Sequence, residues 1–136
     1  MNIRKAELKD IKQCEKISKI REFEMPTGEM PDAKSFELSL NQIFLVAEEK
    51  NKIIGLILGY KLTKEYIYLD LFTVHKDFRN KKIGTQLLTA FRNELRNLNY
   101  KDYFLIAPSF NKKTLNFYSK NGLIKGEQYT LFCEKV

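Results

Sequence analysis

The run Val74-His75-Lys76-Asp77-Phe78-Arg79-Asn80-Lys81-Lys82-Ile83-Gly84-Thr85 concentrates the groups best suited to hold an anion. A strand leads into it and an amphipathic helix leaves it. The first turn of a helix offers free backbone N–H groups and a partial positive charge, and a glycine there lets a ligand approach closely. Such a terminus takes phosphate. Lys76, Arg79, Lys81 and Lys82 add charge, diluted by Asp77, so a di- or triphosphate-bearing ligand is the natural guest. An exposed basic turn with no ligand is the plain alternative. The turn lacks the Gly-x-x-x-x-Gly-Lys of a P-loop and the Gly-x-Gly-x-x-Gly of a dinucleotide fingerprint.

Few other side chains offer chemistry. Period-two alternation puts Tyr68, Asp70, Phe72 and Val74 on one face of the preceding strand, unless a bulge re-aims Asp70. The single histidine, His75, follows the strand beside a charged turn and reads as exposed. Cys14 lies on the apolar stripe of a helix, where a thiol behaves as a small hydrophobe. Cys133 is read as structural too. The two are far apart, with no metal-ligand spacing and no demand for an oxidising compartment.

The elements that position these residues follow from periodicity. Residues 3–6 form a short strand. Asp10 and Gln13 have capping-box spacing, and Ile11, Cys14, Ile17 and Ile20 recur at helical intervals. Residues 25–31 form a loop, and Asp32 caps a second helix with Phe36 and Leu40 inward. Residues 43–48 and 53–62 form a hairpin about residues 49–52, and residues 66–74 a third long strand. Ile83, Leu87, Phe91 and Leu95 make an apolar stripe on the strongest helix, with Leu88 and Leu98 filling it. Residues 102–107 read as a strand, 114–120 as a helix ending at Asn121-Gly122, and 123–134 as one or two further strands. The order is β-α-α-β-β-β-α-β-α-β(β). It predicts a single α/β (α+β) domain over residues 1–136, with a mixed, mostly antiparallel sheet of six or seven strands and helices on both faces.

Two blocks carry a family resemblance. Arg79-Asn80-Lys81-Lys82-Ile83-Gly84, after a strand ending in Val74, resembles the Arg/Gln-x-x-Gly-x-Gly/Ala signature of the GNAT superfamily of acyl-CoA-dependent N-acyltransferases; Lys82 stands for the first glycine. Asn111-Lys112-Lys113-Thr114-Leu115-Asn116-Phe117-Tyr118-Ser119-Lys120-Asn121-Gly122-Leu123 resembles that family's Asn-x-x-Ala-x-x-Phe-Tyr-x-x-x-Gly-Phe. Asn111, Phe117, Tyr118 and Gly122 match, while Thr114 and Leu123 depart. The element order resembles the family over nearly the whole chain.

The resemblance implies direct attack of an amine on the thioester of acetyl-CoA, with no metal. The Val74 N–H would face the thioester carbonyl, with Phe72 and Thr73 beside it on the strand end. Arg79, Asn80, Lys81, Lys82, Ile83, Gly84 and Thr85 would cradle the pyrophosphate, and Asn111 would steady the pantetheine arm. Tyr118 would protonate the leaving sulfur. Asp70 is the candidate base.

Composition limits the alternatives. The chain has 136 residues, 43% of them hydrophobic, and a formal charge of +7. That size and content suffice for a core without metals or disulfides. The charged N-terminus has no signal-peptide core, and residues 53–60 are the longest apolar run, far short of the ~20 residues of a membrane helix. The expected setting is the cytoplasm, as monomer or homodimer. The lysines are scattered, so nucleic acid is not expected. Glu22, Glu24, Glu29 and Asp32 make residues 20–40, where the family meets its acceptor, acidic within a basic chain. They suggest a cationic small amine or peptide amine, unless they are simply solvated loop charges. The competing reading is an acyl-CoA-binding sensor that transfers nothing.

Overall fold

A computed structural model describes all of residues 1–136. Strands β2 (Ile43–Glu49) and β3 (Lys52–Lys61) pair through a two-residue connection. Its residues, Lys50 and Asn51, take φ of 50° and 62°. Left-handed backbone at both positions matches the right-handed strand twist, which is why short hairpins use it. Strand β1 (Asn2–Lys5) pairs with β2, and β4 (Ile67–Val74) with β3, all antiparallel, in the order β1-β2-β3-β4.

Each face of the sheet carries its own helical layer. Helix α3 (Ile83–Asn97) lays Ile83, Leu87, Leu88, Phe91 and Leu95 on Ile43, Leu45, Ile54, Ile57, Ile67 and Leu69. Two glycines of β3 allow that contact. A Cβ on Gly55 would lie 2.9 Å from Leu87 Cδ1, and one on Gly59 would lie 2.7 Å from Phe91 Cε2. Helices α1 (Ile11–Ile17) and α2 (Ala33–Leu38) cover the other face over Phe44, Val46, Ile53, Leu56, Leu58 and Leu71. Burying one such large side chain contributes roughly 1.5–3 kcal/mol. Helix α4 (Lys112–Lys120) follows, capped by Asn111.

Asp32 caps α2 as expected, accepting from the Ser35 N–H at 2.8 Å. The capping box expected of Asp10 and Gln13 does not form. Asp10, 2% exposed, turns back to accept from Arg4 at 2.7 and 2.9 Å and from the Glu7 N–H at 2.8 Å. Gln13 accepts from the Ile53 N–H at 2.9 Å, so both side chains join the helix to the sheet. Burial would raise the Asp10 carboxyl, but its hydrogen bonds to Arg4 and the Glu7 N–H, with the Arg4 charge, hold it below the usual carboxylate range.

The sheet has four strands, not six or seven. Of residues 102–107 only Phe104 bridges, parallel to Tyr68. Residues 123–136 form no strand. The backbone N–H groups of residues 124–136 donate to no backbone acceptor, and Ile124 and Phe132 are 97% and 87% exposed. A strand needs a ladder edge to pair with, and one bridge at Phe104 provides almost none. Cys133 lies on this segment, exposed rather than structural, whereas Cys14 is buried and its thiol is pushed up to about 12 by desolvation. No helix is long and apolar enough to cross a membrane.

Candidate functional site

Strand β4 carries one residue more than β3 can match. Leu58 faces Leu71 and Gly59 faces Leu69, leaving Asp70 unpaired. This is a β-bulge, which bends a strand and re-aims a side chain. It overturns the simple alternation expected for Tyr68, Asp70, Phe72 and Val74. Beyond the bulge, Leu71 packs in the α1–α2 layer, while Phe72 and Val74 pack with the α3 layer. Asp70 does not share their face. It opens into a cavity of about 270 Å³ lined also by Phe23, Glu29, Phe36 and Tyr60. Although Asp70 has an exposed side, the surrounding apolar wall desolvates its carboxyl and raises it above its ordinary value.

The bulge also changes where the backbone points. The Leu69 N–H donates outward to Phe104 O at 2.9 Å, whereas the His75 N–H donates inward to Ile54 O on β3 at 2.8 Å. Strict alternation would put these two on the same side. The extra residue shifts the parity, so the Val74 N–H, one step before His75, faces the open edge of β4. Beyond Phe104 no further backbone pairs with that edge, which leaves a wedge beside Val74.

The turn after β4 presents more free donors. The N–H groups of residues 80–85 donate to no protein acceptor, and no side chain caps α3. Asn80 and Lys82 both take φ of 62°. Thus the lysine in the glycine's place adopts the left-handed conformation that a glycine there would favour. Free N–H groups in such a concave turn form an anion cradle at the start of a helix, so these residues fit a pyrophosphate. Arg79 Nε donates to Val74 O at 3.0 Å and its backbone N–H to Lys76 O at 3.5 Å, so Arg79 pins the turn rather than adding a free donor to it. The Lys81 ammonium lies 5.1 Å from the Phe78 ring centroid. Thr85 and Lys82 are exposed, and Ile83 is buried under the helix.

Helix α4 comes to the same wedge. A Cβ on Gly84 would meet Phe117 Cε2 at 3.3 Å, so glycine allows α4 close against the start of α3. The Phe72 ring stands 5.6 Å from Phe117 and 6.3 Å from Tyr118. The Tyr118 hydroxyl is raised above its ordinary value by burial, reinforced by Tyr103 and Tyr68, and so stays protonated. Asn111 has a different setting from that expected. Its Oδ1 accepts from the Thr114 N–H at 3.2 Å, and its Nδ2 donates to Glu22 Oε1 at 2.9 Å. With the Arg21 guanidinium 4.8 Å from the Phe110 ring, this ties the acidic loop to α4. Nothing in the spacing of these residues signals that link, because nearly ninety residues separate its ends. Half-buried His75 lines a smaller cavity beside Gln13, Lys16 and Ile17.

A four-stranded antiparallel sheet between helical layers, open at a bulged strand and followed by an N–H cradle, defines an acetyltransferase fold. Residues 8–123 match the acetyltransferase (GNAT) family, and the chain belongs to that family. Among solved structures, Ard1 from Thermoplasma volcanium superposes with a TM-score of 0.78 at 23% identity, over 93% of this chain and 84% of that one. An aminoglycoside acetyltransferase from an uncultured soil metagenomic sample, solved with sisomicin, gives 0.76 at 23% identity, over 99% and 95%. The aminoglycoside acetyltransferase AAC(6')-Iy, solved with a bisubstrate analogue of CoA and acetylneamine, gives 0.79 at 15% identity, over 99% and 98%. At these identities the likeness is one of fold. No curated protein matches the chain.

Proposed function

We propose that this protein transfers an acetyl group from acetyl-CoA to a primary amine by direct attack. The observation that carries this reading is the change of backbone parity at Asp70. It turns the Val74 N–H toward the open edge of β4, next to Phe72, which stands against Tyr118, and just before the unpaired N–H groups of residues 80–85. The pyrophosphate would lie on the N–H groups of Asn80 through Thr85, with Arg79 holding the turn and Phe72, Thr73 and Asn111 along the pantetheine. Because Asn111 already caps α4, its help to the pantetheine would be positional.

In the reaction the acceptor ammonium gives one proton to Asp70, directly or through water. The neutral amine nitrogen then attacks the thioester carbon. As negative charge gathers on the carbonyl oxygen, the Val74 N–H donates to it, a contribution worth ~100-fold or more. The C–S bond breaks, the sulfur takes a proton from Tyr118, the surplus proton on the amide nitrogen passes to the phenolate, and Asp70 releases its proton to solvent. A desolvated carboxyl is a stronger base than an exposed one, and a phenol that stays protonated can serve as the acid.

The test is release of free thiol from acetyl-CoA on addition of primary amines, with the acetylated product identified by mass. Tight acetyl-CoA binding without thiol release for any amine would establish a binding domain instead.

A further inference from the structure

The cavity at Asp70 is lined by Glu29 and Asp70 and by no lysine, arginine or histidine. That is notable in a chain with 24 basic and 17 acidic residues. Most of the remaining wall is apolar: Phe23, Met25, Met30, Phe36, Leu58 and Leu71. Its other polar side chains are Ser35 and Tyr60, and the Tyr60 hydroxyl is already hydrogen-bonded to Ser39 at 2.7 Å. At about 270 Å³, the space lies below the ~300–1,000 Å³ of pockets that hold drug-sized ligands.

Each property narrows the occupant. Two carboxylates, Asp70 in no ion pair and Glu29 paired only with exposed Lys135 in a contact a guest can displace, select a cationic guest and repel an anionic one. An apolar wall rejects a polyhydroxylated ring, whose hydroxyls would lose water without gaining partners. The small volume suits one short chain better than linked sugar rings. Glu29 already shows the mode of recognition, since its Oε1 lies 3.7 Å from the Lys135 ammonium, an alkylammonium at the end of an aliphatic stem.

We infer that the acceptor is a short aliphatic diamine, its stem on the methionine and phenylalanine wall, one ammonium at Asp70 and the other at Glu29. This rests on the acetyl transfer proposed above and gives that site its substrate class. The reaction balances as diamine dication plus acetyl-CoA giving the monoacetylated diamine cation, free CoA thiol and one proton. The nitrogen at Asp70 forms the new C–N bond, and the ammonium at Glu29 stays charged.

The experiment has two arms. Cadaverine is first titrated calorimetrically into the full chain without coenzyme, alongside butylamine and kanamycin. Cadaverine is expected to bind most tightly, and Glu29→Gln to weaken it about fivefold, the upper range for an exposed ion pair. Thiol release with acetyl-CoA is then compared for the three amines. The ratio of kcat/KM for cadaverine over butylamine is expected to fall in Glu29→Gln, mainly through KM. The diamine inference is overturned if cadaverine does not bind at millimolar concentration, if kanamycin is preferred in either arm, or if Glu29→Gln leaves the cadaverine preference intact. Failure of acetyl transfer itself reads differently, as diamine binding without thiol release from any amine.

Discussion

The Leu69 N–H points out of the sheet to Phe104, and the His75 N–H, six residues later, points into it to Ile54. The unpaired Asp70 between them accounts for the reversal. Removing that residue would leave the remaining partners in regular alternation with the Val74 N–H still outward, but it would take away the bend of the bulge and the carboxyl it carries. Deletion of Asp70 is therefore expected to give a folded protein with acetyl transfer reduced ~100-fold or more, through loss of the base rather than of the Val74 donor. Asp70→Asn keeps the bulge. It should lose the acidic limb of the kcat/KM pH profile, since the group that must be deprotonated is gone. Retention of that limb would remove Asp70 as base.

The same carboxyl has a cost in stability. Burial raises its folded-state value above the ordinary 3.8, so the folded state binds the proton more tightly than the unfolded chain. Stability from this group is complete below pH 3.8 and is lost as pH rises through the folded value. Asp70→Asn should therefore raise Tm at pH 7, with the gain vanishing below about pH 4. Thermal denaturation at several pH values checks this, and a lowered Tm at pH 7 contradicts it.

Tyr118 stands with Phe72 and Phe117 at the wedge. Removing its hydroxyl should slow turnover ~100-fold, within the range of a general acid, while the aromatic packing survives. Calorimetric acetyl-CoA affinity of Tyr118→Phe is expected to stay near that of the parent. Unchanged turnover would exclude the phenol from the mechanism.

Lys82 holds φ of 62° at the entrance to α3. A side chain in that conformation costs roughly 1–2 kcal/mol, part of which a glycine would return in unfolded-state entropy. Lys82→Gly should match or exceed the parent in stability and acetyl-CoA affinity. Lys82→Ala should be weakest in affinity, because it keeps the Cβ and loses the charge. Titration of acetyl-CoA into the three proteins decides the order.

Arg4 joins β1 to the start of α1 through buried Asp10 and reaches Glu48 at 3.0 Å. Its removal strands a carboxylate that is 2% exposed. Arg4→Ala is expected to cost about 3–5 kcal/mol in denaturant unfolding at pH 7. In the parent, the Asp10 pairing stabilises above about pH 4 and is lost as pH falls through its lowered folded-state value. The Arg4→Ala deficit should shrink in acid accordingly.

The sequence alone determined the helices, the hairpin and the basic turn, because each is encoded by neighbours. The stripe of Ile83, Leu87, Phe91 and Leu95 could bury itself in only one way, and Asp32 capped the helix beside it. The two motif blocks pointed to the family and to residues 79–85 and 118. Tertiary structure decided what depends on distant partners. Residues 123–134 have the composition of strands, but a strand exists only if an edge receives it, and β4 turns away from Phe104 after one bridge. The loop tie between Asn111 and Glu22 likewise joins residues far apart in sequence. Alternation placed Asp70 with Phe72 and Val74. One extra residue, visible only in the register with β3, put it instead in the cavity on the opposite face. Period-two geometry is local, but the count of residues against a partner strand is not.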